Sequence, residues 1–276
     1  MKKNEIKLPV SINICTYNEE DNISECIKYL KLANPEEIII IDGNSVDKTR
    51  SIVKEIDGVI LLTSEKKGLA HQRQIGVDNS TQPFIMIVDA DDRLDKNCID
   101  ILLKEMKENQ YDAIQAQTLS YEPLSYWQKA MDYNLKMFIS LPGVTNMIGR
   151  PALYRREVYD AIKFDPIFTF GSEDTDFSRQ MEINNLKQGV GTGKSYRIHL
   201  STCKENINKW IAYGKGDSTF SYKYPDRRNS IIKHLLVNYL LKKSFISIIR
   251  GKPQYSLFFF LQGIFRFVGF IIWEKK

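Results

Sequence analysis

The chain has 276 residues, 43% of them hydrophobic and 26% charged, enough to bury one large core with or without an appendage. Its 39 basic and 34 acidic residues leave a formal charge of +5, too mild to mark a nucleic-acid binder on charge alone, and no nucleic-acid partner is expected. Cys15, Cys26, Cys98 and Cys203 share no metal-ligand spacing, so reduced thiols in a cytosolic setting are expected.

The opening M-K-K-N-E-I-K-L-P-V is basic without an apolar core, so no signal peptide is expected. Residues 10–16 alternate apolar and small polar side chains and predict a first strand, entering a loop at T-Y-N-E. Asn18 is the expected N-cap of a helix to about Leu32, because Ile23, Cys26, Ile27 and Leu30 share one face. Residues 37–41, E-I-I-I-I, predict a second strand ending at Asp42, followed by the turn D-G-N-S and a helix through Ile52 and Val53. A short strand over 59–62 and a helix over 68–78, with Arg73 near its middle, come next.

Residues 84–92 read F-I-M-I-V-D-A-D-D. The uninterrupted apolar run suits a strand buried on both faces. Its acids begin where the strand ends, and in an open α/β sheet that edge is where ligands bind. Carboxylates this close stay ionised together when something positive sits among them. Asp-x-Asp spacing suits one divalent ion, and oxygen-only ligands favour Mg²⁺ or Mn²⁺. A solvated acidic turn capping the next helix, expected over 96–109, is the alternative.

Alternating strands and helices predict an α/β fold with a mostly parallel, Rossmann-like sheet and helices on both faces. Parallel strands bring their carboxyl ends to one edge. The clusters at 16–19, 42–45 and 89–92 should therefore converge on one crevice. No G-x-G-x-x-G or G-x-x-x-x-G-K-[ST] motif occurs, so a bound diphosphate would be neutralised by a metal rather than cradled by a glycine loop.

These residues resemble the family 2 glycosyltransferases of the GT-A fold. The likeness runs over about residues 8–205. It rests on P-V-S-I-N-I-C-T-Y-N-E (9–19), I-D-G-N-S-V-D-K-T (41–49), Asp89-Ala90-Asp91 and F-G-S-E-D-T-D-F-S-R (170–179). The resemblance implies that Thr16, Tyr17 and Glu19 line the nucleoside pocket and that Asp42 hydrogen-bonds the base. Asp89 would meet the ribose or the metal's surroundings, and Asp91 would bind the metal bridging the diphosphate. Arg73 matches a family arginine, although Gln74 stands where an asparagine often follows. Asp92 has weaker support and would cap the next turn. Asp174 matches the catalytic base: an acceptor hydroxyl needs a carboxylate to take its proton, and one base without a protein nucleophile implies inversion. Helix capping is the other use for acids at 173–174.

Residues 149–154, G-R-P-A-L-Y, resemble an acceptor-side segment of shaped loop. His199, closing an expected strand over 195–199, is either a further metal ligand or structural. Tyr126, Trp127, Tyr133 and Phe138 fall in a helical stretch, 125–139, as a sugar platform or as core.

The expected boundary separates a catalytic domain, 1–205, from a helical extension, 206–276, that mixes aromatic and basic residues. Residues 257–273 are almost wholly apolar, but the run is short for a span and carries Arg266; Lys252 and Lys275-Lys276 flank it. An interfacial helix on the cytoplasmic face of the cell membrane is expected, with packing onto the domain or a true span as alternatives. The composite expectation is a metal-dependent, inverting transferase moving a sugar from a nucleotide-diphospho sugar, UDP by family habit, to a glycan or lipid-linked acceptor in envelope polysaccharide assembly. A polyprenyl-phosphate sugar synthase, a non-catalytic nucleotide-sugar binder and a nucleotidyltransferase are the rivals.

Overall fold

Ile85 and Ile87 point to one side of their strand and Met86 and Val88 to the other, and all four are buried. Such a strand needs cover on both faces, and the computed structural model supplies it. The structure describes residues 7–66 and 68–273; the first six residues and the Lys275-Lys276 pair singled out above lie outside the described residues.

In chain order the elements begin β1 (Leu8–Thr16), α1 (Ile23–Leu32), β2 (Pro35–Asp42), α2 (Thr49–Lys54), β3 (Ile60–Thr63), α3 (Leu69–Asn79) and β4 (Phe84–Asp89). There follow β5 (Asp92–Leu94), α4 (Cys98–Glu108), β6 (Ala113–Ser120), α5 (Tyr126–Asn134), β7 (Gly143–Val144), β8 (Ala152–Arg155), α6 (Val158–Ala161), α7 (Glu173–Ile183) and β9 (Gln188–Arg197). The remainder is helical: α8 (Cys203–Lys223), α9 (Arg228–Lys233), a π-helical stretch His234–Lys243, α10 (Ser244–Ile249) and α11 (Ser256–Trp273).

Chain contacts divide these elements into two compact units. The first holds residues up to Glu122, Asn134–Pro166 and Asp174–Ile198; the second holds Pro123–Tyr133, Ile167–Glu173 and the chain from His199 onward. The second unit thus draws in two segments that precede the expected boundary at residue 205.

The first unit is one sheet in the order β3-β2-β1-β4-β8-β6-β9-β5, with β7 paired to β9. Strands β1 to β4 pair in parallel as expected. Strand β8 then runs antiparallel to β4 and to β6, and β5 antiparallel to β9, so the sheet as a whole is mixed. One face packs Ile12, Ile14, Met86 and Val88 under α1 and α4. The other packs Ile85, Ile87, Ala152 and Tyr154 under α3 and α7.

Helix α1 starts at Ile23, not at Asn18. Asn18 instead adopts a left-handed φ of 55°, and its side chain accepts from Val46 N at 3.0 Å, which removes it from any capping role.

In the second unit α8 opens with a reciprocal capping box: Thr202 Oγ1 accepts from Glu205 N and Glu205 Oε2 accepts from Thr202 N. Helix α11 lies along α8 at backbone contact. A Cβ at Gly214 would run into the Arg266 carbonyl, and one at Gly269 into the Ile211 carbonyl. Trp127 packs its ring 6.2 Å from Trp210, which lies 5.3 Å from Phe258, so the aromatic side of α5 is core rather than platform. Replacing Gly214 by Ala is expected to cost about 1–3 kcal/mol by overpacking, read as a lower melting temperature in circular dichroism.

Candidate active site

Strands β2, β1 and β4 lie side by side, with Thr16 opposite Asp42 and Cys15 opposite Asp89. The three polar tips therefore sit together on one sheet edge. Gln72, buried on α3, ties two of them: its Nε2 donates to Thr16 O at 3.1 Å and to Ile41 O at 2.8 Å. Gly43 packs beside it: a Cβ there would come within 2.9 Å of the Gln72 amide and push that side chain from its two carbonyl partners.

Asp42 is wholly buried. Thr16 Oγ1 and Ser45 Oγ donate to its Oδ1 at 3.3 and 2.5 Å, and Ser45 N donates to Oδ2 at 3.0 Å. In this arrangement Asp42 shapes the turn after β2 and presents no oxygen to solvent. Thr16 is equally buried, while Tyr17 is 51% exposed. Glu19 accepts from Asn22 Nδ2 at 3.0 Å. Burial pushes the Glu19 carboxyl upward, the Asn22 bond opposes this, and Asp91 and Asp89 add to the rise.

At the acidic tip, oxygens of Asp89, Asp91 and Asp92 lie within 4.8 Å of one another. The positive charge among them is the chain's own Arg197, brought opposite Asp92 by the β5–β9 pairing. Arg197 donates Nε to Asp92 Oδ1 at 2.9 Å and Nη2 to Asp92 Oδ2 at 2.6 Å. Its Nη2 also lies 3.0 Å from Asp89 Oδ2, and its Nε 3.5 Å from Asp91 Oδ1. Asp92 has no exposed surface; it is the buried anchor of Arg197, and its Oδ2 also accepts from Asp89 N at 3.2 Å across the 89–92 turn. Burial pushes its carboxyl upward and Arg197 pulls it back; the three aspartates in turn hold the Arg197 guanidinium well above its ordinary value against its own burial.

Removing the arginine strands a buried carboxylate. Arg197→Met is expected to cost about 3–5 kcal/mol, measured as a shift of the urea midpoint.

Asp91 Oδ1 is buried and receives no hydrogen bond. This carboxylate oxygen has Arg197 Nε at 3.5 Å as an ion-pair partner but no hydrogen bond, and beside Asp89, in an all-oxygen donor set, it fits a small hard divalent cation. Asp89 and Asp91 are the residues that would hold it.

Asp174, in the first turn of α7, faces the same place. Its Oδ1 lies 2.8 Å from Arg73 Nη1 and 2.7 Å from Arg150 Nη2. Oδ1 takes the closest approach of both guanidiniums, and the side chain is 25% exposed. Arg73 Nη2 lies 3.6 Å from Asp89 Oδ1, so one guanidinium spans the base candidate and the metal-binding tip. Arg73 and Arg150 are both buried and both flank the Phe164 ring, at 5.9 and 6.0 Å. Arg150 also donates to Tyr154 Oη at 2.9 Å. Gln74 supports this wall rather than a ligand: its Oε1 accepts from Phe164 N at 3.2 Å and its Nε2 donates to Asp78 at 2.8 Å.

Four carboxylates, Asp89, Asp91, Asp92 and Asp174, thus meet three guanidiniums, Arg73, Arg150 and Arg197. The residual negative charge invites a divalent cation, which when bound would offset it on the side that faces a diphosphate.

Arg150 stood in a segment without a role, and Arg197 and Gln72 carried no signal in the sequence at all. His199 lies beyond the end of β9, which closes at Arg197 rather than at residue 199. It belongs to the second unit, where its carbonyl accepts from Gln128 Nε2 at 2.9 Å. It is not one of the three residues grouped at the acidic tip.

A family model described as glycosyl transferase family 2 matches residues 11–163, more than half of the chain. A lipopolysaccharide core biosynthesis glycosyltransferase, LpsC of Rhizobium meliloti (strain 1021), is 35% identical over 100 residues, covering 35% of this chain and 36% of the relative. A Methanococcus voltae enzyme, dolichyl N-acetyl-alpha-D-glucosaminyl phosphate 3-beta-D-2,3-diacetamido-2,3-dideoxy-beta-D-glucuronosyltransferase, is 32% identical over 91 residues, covering 29% of this chain and 28% of that enzyme. The chain therefore spans about a third of the length of these curated relatives. Among solved structures, S. aureus TarS 1-349 in complex with UDP-GlcNAc superposes with a TM-score of 0.58 at 15% identity, covering 98% of this chain and 92% of that one. At that identity the likeness shows the fold alone.

Proposed function

Because the chain belongs to glycosyl transferase family 2, we propose that it transfers a sugar from a nucleotide-diphospho sugar, with UDP as the nucleotide, to an acceptor hydroxyl with inversion at the anomeric carbon. The observation that carries this reading is the single Arg73 guanidinium shared by Asp174 and Asp89. It keeps a general base and a diphosphate-binding tip within one side chain of each other.

Asp174 takes the acceptor proton on Oδ2 while Arg73 and Arg150 fix its other oxygen and hence its orientation. Asp89 and Asp91 would hold Mg²⁺ or Mn²⁺, which when bound would supply positive charge for the departing diphosphate. Arg197, anchored on Asp92, sets the spacing of the two ligand carboxylates. Thr16, Tyr17 and Glu19 border the nucleoside side, and Asp42 acts there by holding the turn rather than by touching the base. With Asp174 as the base and Asp89, Asp91 and Asp92 committed to the metal-binding tip, no nucleophile is assigned among the described residues, and the reading is direct displacement, hence inversion.

The acceptor is a glycan or a lipid-linked glycan of envelope polysaccharide assembly. Support comes from the lipopolysaccharide and dolichyl-linked activities for which the two relatives are named. The same reading places the chain on the cytoplasmic face of the cell membrane, held there by its second unit; the basic and apolar make-up of that unit supports it. A panel of nucleotide sugars, scored for Mn²⁺-dependent binding and hydrolysis, tests the function. UDP-sugar turnover that stops on chelation is the expected outcome. Binding without turnover with any acceptor would leave only a nucleotide-sugar-binding protein.

A further inference from the structure

We propose that the second unit docks on an anionic lipid bilayer through one edge, residues 241–260, lying in the plane of the surface and not crossing it. The proposal deepens the membrane reading above and rests on it. One helix, Pro253–Trp273, is long and apolar enough to span a membrane by length and composition, but the packing engages it elsewhere. Its backbone sits against α8 at Gly214 and Gly269. Its Arg266 donates Nε and Nη2 to Asp217 of α8 at 2.6 and 2.9 Å, and Nη1 to Tyr239 Oη at 3.1 Å. A spanning α11 would give up these bonds and carry Arg266 into hydrocarbon.

What the packing leaves bare is a separate edge. Leu241, Phe245, Ile248, Ile249, Leu257 and Phe260 are 65, 62, 53, 67, 55 and 47% exposed. Single exposed apolar side chains are ordinary, but a concentration of large ones marks a contact surface. These belong to one block: Ser244 and Ser256 each donate to the other's carbonyl, at 3.3 and 3.0 Å, and Lys252 N donates to Ser247 O at 2.8 Å. Helix α10, its turn and the start of α11 thus fold back together.

Charge selects the occupant. Lys242, Arg250 and Lys252 are exposed within this block. Residues 223–273 carry nine Lys and Arg against Asp226 alone, and seven remain when the buried Lys243 and the Asp217-paired Arg266 are set aside. A second copy of the chain would bring these like charges together. Acyl chains under anionic headgroups would accept the apolar centre and neutralise the basic rim.

The test uses the full chain and phosphatidylcholine vesicles with and without phosphatidylglycerol. The chain is expected to co-float with the anionic vesicles, and less so as salt rises. Phe245→Glu combined with Ile249→Glu should lower partitioning at least about tenfold with an unchanged far-ultraviolet spectrum. A gentler variant, Phe245→Trp, should move its emission to the blue on vesicle addition and be quenched by brominated acyl chains. Flotation unaffected by the double substitution, with no emission shift in the Trp variant, would show that another face docks and overturns the proposal. A wild-type chain that ignores every vesicle defeats the membrane reading itself but not the transferase reading. A double variant that only converts a dimer to a monomer gives the edge to a second copy of the chain and also overturns it.

Discussion

Asp174→Asn is expected to lower kcat by at least about a hundredfold, the lower bound for loss of a positioned general base, while leaving donor affinity in Mn²⁺ unchanged. The isosteric amide still offers Oδ1 to Arg73 and Arg150, which lie 2.8 and 2.7 Å from the carboxylate oxygen now. The frame around the base therefore survives, and Oδ2 loses only its ability to take a proton. A hundredfold loss corresponds to about 2.7 kcal/mol of transition-state stabilisation. Two readouts separate this from structural damage: donor titration by calorimetry, expected to match the parent chain, and the far-ultraviolet spectrum, expected to be unchanged even though the melting temperature falls as two buried guanidiniums lose their shared anion. Near-normal turnover would remove Asp174 from the chemistry and leave it as a tether for two buried arginines.

Asp91→Asn should act on the other half of the reaction. Its Oδ1 receives no hydrogen bond and meets Arg197 only at 3.5 Å, so the substitution removes a ligand charge and costs the fold less than unpairing Asp92 does. Mn²⁺ affinity is expected to fall at least about tenfold, the low end of the loss from disturbing even an outer partner of a metal ligand. UDP-sugar affinity should fall with it, and the difference between titrations with and without Mn²⁺ should shrink. The contrast with Arg197→Met is diagnostic. That substitution should appear first in stability, because Asp92 loses a bidentate partner at zero exposure, whereas Asp91→Asn should appear in ligand binding with stability nearly intact. Donor binding by the Asp91 variant that equals the parent's, with or without metal, would refute the ligand role.

Much of this site was legible before any coordinates. The apolar runs ending in acids at Asp42 and Asp89 announced parallel strands, and parallel strands carry their carboxyl ends to one edge. Local pattern and one topological rule are thus enough to bring residues 16, 42 and 89 together. The candidate base was legible too, as an acidic pair opening a helix.

The neutralising side was not. Arg197 lies 105 residues from Asp92, and Arg73 lies 101 from Asp174. Such pairings are set by strand register, and no local period records the register of a strand with a distant partner. For the same reason β6 and β8 show no local signal: their burial is decided by neighbours distant in sequence, β8 and β9 for β6 and β4 and β6 for β8, so their sequences need show no clean alternation. Asn18 was misread as a cap because propensity describes a residue alone, while its side chain here is committed to Val46 across a loop.

In the tail, sequence alone determined the composition, basic and apolar with Arg266 inside an apolar run. Only the tertiary structure decided what that run does. Close contact at Gly214 and Gly269 and the bond from Arg266 to Asp217 fasten α11 to α8. Composition sets how much apolar surface a chain must hide, but complementary shape and paired charge decide which part is hidden and which is left outside.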